Sequence, residues 1–447
     1  MTRLRLLAGL ALAQLVGGRV GTVNAQMTAE PALLAAINRI QAIDNHAHAA
    51  PILAPGEKDP EFEVADSIPP ETLPVRLRPS SAYVEAWRRL YGYRRDTFDH
   101  PHDDERREAK RRTMAEKGTG YPAWVLDQLG IETMLVNRFQ LGRGQTAPRF
   151  LWVWPANPLL FPLDNESAKK DNPQREADFT NDEASLKRFL DELRLPQLPE
   201  TLDAYLTEVV EPLLERRKRE GAVAVKFYAA YQRSLDFGDA SPAVAARVYA
   251  RHVRGGVPDV AEYKALQDYL FRRIALHCGH VGLVVHVHVG LGAGGWFYNS
   301  GASPFLLEPV LNDPRLRGTR FVLIHGGLPL AAATRALLGK PNVYADFSSH
   351  GFLTSVREMS DVIRAWLEAW PEKVLFGTDA YPLTTMLGWE EIGWLTTNSA
   401  RQALALALTG MMNDGEITRD RALELARMVL RENAIGLYGL PRTPSKR

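Results

Sequence analysis

A single cysteine, Cys278, in a chain of 447 residues excludes an intrachain disulfide framework and any cysteine-built zinc module. Neither sign of charge is in excess: 54 lysines and arginines stand against 53 aspartates and glutamates. The formal net charge of +1 gives no reason to expect nucleic acid or an anionic membrane as partner. Apolar runs long enough to span a bilayer are missing, so no membrane span is expected in the mature chain. There is no internal repeat. What is present is a 45% hydrophobic composition, enough for a sizeable core organised as one large α/β barrel or two ordinary domains.

The first residues have the three parts of an export signal. "MTRLR" is a basic start, "LLAGLALAQLV" an apolar middle, and Val23-Asn24-Ala25 a small-residue cleavage site before Gln26. Residues 1–26 are therefore set aside from the fold as a signal peptide, which predicts a periplasmic or secreted protein. The competing reading is a cytoplasmic protein that starts at Met27.

Short β-rich runs alternate with longer helical or charged segments. Strands are expected at 42–47, 132–137, 150–154, 222–227, 282–287, 320–325, 342–346 and 374–378. Several are near-continuous apolar runs, as strands covered on both faces should be. Helices are expected at 201–220, 260–277 and 356–370. Eight strands in alternation with helices predict an α/β fold, a (β/α)8 TIM barrel over residues 27–440 with a short tail at 441–447. Residues 51–120 and 156–200 exceed a minimal barrel and read as insertions on the C-terminal face. The charged run at 103–112 reads as a solvated helix face, and "RMVLRENAIGLYGL" as a closing helix ended near Gly439 with no chemistry in it.

"AIDNHAHAAP" puts His46 and His48 one residue apart at the end of the first strand. On a strand, i and i+2 share a face, so both imidazoles leave the same side. Alone, such a pair is weak evidence for a metal. "LVVHVHVGLG" repeats it with His286 and His288 at the fifth strand, "FVLIHGG" ends the sixth in His325, and "VLFGTDAYP" ends the eighth in Asp379. All lie at C-terminal strand ends, the face where barrel enzymes build their active sites. Neutral imidazole and carboxylate are the ligands of zinc and its neighbours. Lys226, ending the fourth strand, points to the same mouth as an electrostatic group or, if carbamylated, as a ligand bridging two ions. Arg138 and Arg233 are candidates to grip a substrate carboxylate. Trp296, with Phe297 and Tyr298, is a candidate wall of the mouth, as are Trp152 and Trp154. "GLGAGG" at 290–295 matches a dinucleotide fingerprint, but no helix follows it; its glycines read instead as room for a loop to pass close to the site.

Taken together, His46-x-His48, Lys226, His288, His325 and Asp379 resemble the amidohydrolase superfamily. More narrowly, "KFYAAYQRSL", "HVHVGLGAG", "FVLIHGGLP", "NVYADFS" and "KVLFGTDAYP" are similar to the amidohydrolase-related branch, amidohydrolase family 2, which includes the amidohydrolase-like domain fused to glutamine synthetase-like proteins. The resemblance covers roughly residues 40 to 440 and is strongest from 221 onwards. It implies that His46 and His48 bind a divalent metal, Zn2+ before others, as one or two ions. It implies that His288 is the strand-five ligand, with His286 a pocket residue that faces substrate. His325 is then a ligand of a second ion or a group polarising the substrate, and Asp379 both ligand and proton acceptor.

The chemistry expected from these parts is hydrolysis of an amide, ester or related C–N or C–O bond of a small, carboxylate-bearing substrate. Metal-activated water is the nucleophile, with Asp379, His325 and Lys226 as catalytic groups and His325 stabilising the oxyanion. The alternatives are a metal-dependent non-oxidative decarboxylase on the same barrel, and an inactive barrel kept as a binding protein. A homo-oligomer is left open.

Overall fold

The computed structural model describes residues 28–441 except 55, 63, 66–67, 98–101 and 295; the segment 1–26, expected from the sequence to be a signal peptide, and the tail beyond 441 lie outside the described residues. Eight parallel strands run in the order of the sequence: β1 (Ala42–Ala47), β2 (Ile131–Asn137), β3 (Phe150–Pro155), β4 (Ala222–Phe227), β5 (Val284–His288), β6 (Phe321–Ile324), β7 (Val343–Asp346) and β8 (Val374–Leu375). The sheet closes on itself where β8 meets β1: Asn45 N donates to Phe376 O at 2.8 Å, and Asp379 N to His46 O at 2.8 Å. With helices around the outside, this is a (β/α)8 barrel.

All eight expected strands form, with boundaries moved by a residue or two. The eighth is cut to two paired residues, because the chain turns out of the ladder to present Thr378 and Asp379. The barrel interior is an apolar layer of Ile43, Leu135, Val153, Ala224, Val284, Val322 and Leu375, closed from below by Ala434, Ile435 and Leu437 of the last helix, Asn433–Tyr438. Inward Val153 forces its neighbours Trp152 and Trp154 outward, since strand side chains alternate. Trp154 packs on Phe189 of the helix Glu176–Glu192, with ring centroids 5.0 Å apart. Both tryptophans therefore lie outside the barrel and do not wall the mouth.

Helix starts follow the local chemistry. Asp259 accepts from Glu262 N and Ser355 from Glu358 N, opening the helices Val260–Val281 and Val356–Leu367. The expected helix 201–220 divides into Leu202–Ala204, a wide π-turn over Tyr205–Val210 and Glu211–Arg219. Pro212 explains the break, because it offers no N–H and its ring clashes with a regular preceding turn. The helix Asp103–Lys117 is largely solvated, as its charge run predicts, but Lys110 reaches inward to Glu390 and Glu391 at 3.0 Å each. That pairing, with Tyr91 donating to Glu391 and Tyr121 to Glu390, fastens the first insertion to the long helix Trp389–Asn413.

Among the described residues no helix is long and apolar enough to cross a membrane.

Candidate active site

At the C-terminal mouth of the barrel, His46, His48 and Asp379 each bring one ligand atom to within 4.8 Å of the others. His46 Nε2 is 3.4 Å and His48 Nε2 3.5 Å from Asp379 Oδ1. Two ligands each about 2.1 Å from one tetrahedral zinc ion stand roughly 3.4 Å apart, so these separations fit the edges of a coordination shell better than short hydrogen bonds. The supporting contacts agree. His48 Nδ1–H donates to Asn137 O at 3.2 Å, which leaves Nε2 with its lone pair. Thr378 anchors the turn that carries Asp379, its N–H and hydroxyl donating to Asp44 at 2.9 and 2.5 Å.

Burial sets the protonation states. It holds His46, His288, His286 and His325 well below the ordinary imidazole range and His48 near 3, so all five are neutral, as a ligand must be. Burial likewise pushes Asp379 up to about 7 and brings Lys226 down to about 8. Lys226 Nζ lies 3.3 Å from His46 Nε2. A dication placed among these groups supplies the charge that an ionised, buried Asp379 otherwise lacks.

Three further histidines lie around this centre at different depths. His325 has its ring 5.2 Å from that of His46 and 4.6 Å from that of His288, and its Nδ1 is 3.9 Å from Asp379. His288 Nε2 faces Leu291 O at 3.1 Å, and its ring is covered by Tyr231 at 4.7 Å. His286 sits one layer deeper, where Nε2 meets the Tyr438 hydroxyl at 2.7 Å. Tyr438 in turn donates to Asn45, and Asn45 to Asp346 at 2.7 Å. The closing helix thus does carry a polar group, and it plugs the floor beneath the site.

Arg138 and Arg233 are both paired with acids of this chain. Arg138 holds Asp59 in a two-pronged grip, with Glu61 beside it. Arg233 bonds Asp268 at 2.7 Å and Gln267 at 3.0 Å, under the barrel's outer loops. Trp296 is 73% exposed, so it stands out in solvent; Phe297, its neighbour, is the one that packs near His288, at 6.0 Å. The walls near the site are Phe62, 5.3 Å from His48, and Tyr231, with Arg175 stacked over the rings of Tyr231 and Phe297. Sequence reasoning missed Phe62 and Arg175, because isolated aromatic and basic residues in long insertions carry no periodic signal, and it passed over Tyr231, which lies within the quoted "KFYAAYQRSL" stretch just after β4.

The glycines after β5 have a definite use. Gly290 has φ +83°, and a Cβ there would lie 2.5 Å from Gly327 C and Leu328 O. The loops carrying His288 and His325 therefore touch backbone to backbone. Gly290→Ala is expected to cost about 2–4 kcal/mol from the left-handed backbone and the overlap together, read as a lower urea midpoint with unchanged slope.

Residues 186–440 match the family model described as amidohydrolase, which is more than half of the chain. The chain belongs to the amidohydrolase family. The matched segment contains Lys226, His288, His325 and Asp379, and the fold brings His46 and His48 to it from outside. A search of curated proteins finds no match. Among solved structures, a glucuronate isomerase of Caulobacter crescentus aligns at 16% identity with a TM-score of 0.62, over 95% of this chain and 98% of that one. A Lactobacillus casei protein provisionally named a metal-dependent hydrolase aligns at 15% identity and TM-score 0.57, over 92% and 98%. A uronate isomerase of Thermotoga maritima aligns at 13% and 0.57, over 92% and 98%. These likenesses establish the shared barrel. Within the family, His46, His48 and Asp379 are the residues here that fit a divalent metal.

Proposed function

We propose that this amidohydrolase is a metal-dependent hydrolase acting on an amide, ester or related C–N or C–O bond of a small substrate. The observation that carries the proposal is the arrangement of His46, His48 and Asp379, all unprotonated-capable ligands within 4.8 Å at the mouth of the barrel. Zinc is the ion its donor chemistry suits best, and it would supply Lewis acidity that makes water reactive near neutral pH. Asp379 is placed to take a proton from the attacking water. It then returns that proton to the departing nitrogen or oxygen as the carbonyl carbon's bond to it breaks. Phe62, Tyr231 and Phe297 exclude water around the reacting carbonyl, and Arg175, bonded to Ala293 O and paired with Asp178 at 3.6 Å, stacks on two of these rings and holds them in place.

The test is metal analysis of the purified protein, then a screen of N-acyl amino acids, γ-glutamyl amides, lactones, aromatic carboxylates and uronates with and without chelator. Chelator-sensitive hydrolysis of any of the first three supports the proposal. Release of CO2 from a carboxylate would replace it with decarboxylation, and conversion of a uronate with isomerisation. Stoichiometric metal without turnover on a broad panel would favour a binding protein. Export is tested separately by N-terminal sequencing: a mature start at Gln26 supports the periplasmic reading.

A pH dependence follows from the burial of Asp379. Its carboxyl, pushed up to about 7, holds a proton that an incoming ion must displace, whereas the imidazoles are already neutral. The metal dissociation constant is therefore expected to rise about tenfold per pH unit as pH falls from 7 to 5. Titration with Zn2+ in weakly binding buffers reads this slope. A slope near two means that Lys226, held at about 8, is discharged as well.

A further inference from the structure

Among the described residues, only four that are not glycine have a positive φ: Arg194, His325, Ser349 and Asp379. Three of them meet at the mouth. Ser349, which follows β7, has φ +66° and ψ −30° and is buried. Backbone in this region is sparsely populated for a residue with a side chain, and it persists only where the surroundings require it. Here the requirement is visible. Ser349 Oγ donates to Asp379 Oδ2 at 2.5 Å and stands 2.8 Å from His325 Nδ1.

Counting protons assigns the rest. Ser348 Oγ also approaches His325 Nδ1, at 2.9 Å, while donating to Asp346 Oδ1 at 2.7 Å. Each hydroxyl has one proton, and with Asp379 and Asp346 ionised, as an ion in the site requires of Asp379, each gives it to a carboxylate. The two contacts at Nδ1 can then be made only by a proton that the ring itself carries there. His325 is in this way held as the tautomer with Nδ1–H, and its Nε2 keeps the lone pair. His350 holds the same residue from behind, Nε2 meeting His325 O at 3.1 Å.

We propose that Ser349 is a positioning residue that orients Asp379 through Oδ2 and His325 through Nδ1, so that Asp379 Oδ1 and His325 Nε2 face the reacting centre as bare acceptors. This rests on the reading of the mouth as a metal-dependent site. Of the two roles the sequence pattern left for His325, metal ligand or oxyanion-stabilising group, it favours the ligand or a proton acceptor.

The experiment measures three things on full-length protein: the His325 tautomer by 15N NMR of histidine-labelled protein, the Zn2+ dissociation constant, and kcat and KM on whichever substrate the screen supplies. Zn2+-loaded wild type, in which Asp379 is ionised, should show a protonated Nδ1 and an Nε2 without a proton at His325. Ser349→Ala should raise the Zn2+ dissociation constant about 10- to 100-fold, in line with the loss of a residue that orients a ligand, and lower kcat with little change in KM. Ser349→Gly should do the same while its melting temperature without metal stays equal to wild type or rises, because glycine adopts this backbone freely. A His325 tautomer protonated at Nε2, or Zn2+ binding within twofold of wild type in both variants, would overturn the proposal. So would a matching loss of melting temperature in both, which would make Ser349 a purely structural residue. The tautomer and the Zn2+ constants are read without any substrate, so they stand or fall separately from the hydrolase reading.

Discussion

Asp379→Asn is expected to lower turnover by about 10³- to 10⁴-fold, the upper range for removal of a general acid–base group, while the metal-free protein melts no lower than wild type. The two halves have one cause. Asp379 is buried among neutral imidazoles, and burial raises its pKa to about 7, so the folded protein has no strong use for its charge until an ion arrives. Asparagine keeps the shape and can still accept from the Ser349 hydroxyl. It cannot take a proton from water and is a poor ligand for a dication. Steady-state kinetics with calorimetry of the metal-free and Zn2+-loaded forms read both effects. Turnover within tenfold of wild type would remove Asp379 from the proton-accepting role.

His46→Ala is expected to leave the purified protein with almost no bound metal and no measurable hydrolysis. His46 is fully buried, touches Asp379 Oδ1 at 3.4 Å and Lys226 Nζ at 3.3 Å, and has its ring edge-on to those of His48 and His325. Its removal takes one ligand from three and opens a polar cavity. The truncation is also expected to cost about 2–4 kcal/mol of stability, by analogy with large-to-small core changes. His46→Gln keeps most of the volume and separates the two losses: it should recover much of the stability and none of the turnover. Metal content by elemental analysis, with activity in chelator as the control, decides the matter. Full activity of either variant in chelator would contradict the metal-dependent mechanism.

Much of this was legible in the chain. The strands were readable because parallel barrel strands are buried on both faces and so appear as short runs of Val, Ile, Leu and Phe. The candidate site was readable because a barrel collects its functional groups at strand ends, and His46, His48, His288, His325 and Asp379 each close such a run; the structure draws His46, His48 and Asp379 of these within 4.8 Å of one another. Other residues were beyond reach of pattern. Ser349 directly follows the "NVYADFS" motif, but its importance lies in a backbone angle and two contacts with residues 24 and 30 positions away. Tyr438 looked like the end of a packing helix, yet it meets His286 across 152 positions. Arg138 looked available for a substrate carboxylate, but whether a guanidinium is free depends on which acids the loops bring to it. Here the first insertion brings Asp59 and Glu61.

By itself the sequence determined the barrel, its chain order and the candidate groups at the ends of its strands, because these depend on local hydrophobic pattern and on which residue type ends each strand. Only the tertiary structure decided which of those side chains share a centre, which tautomer and protonation state each adopts, and which charges are already spent. Those properties arise from burial and from partners distant along the chain, and neither is written in the spacing of residues.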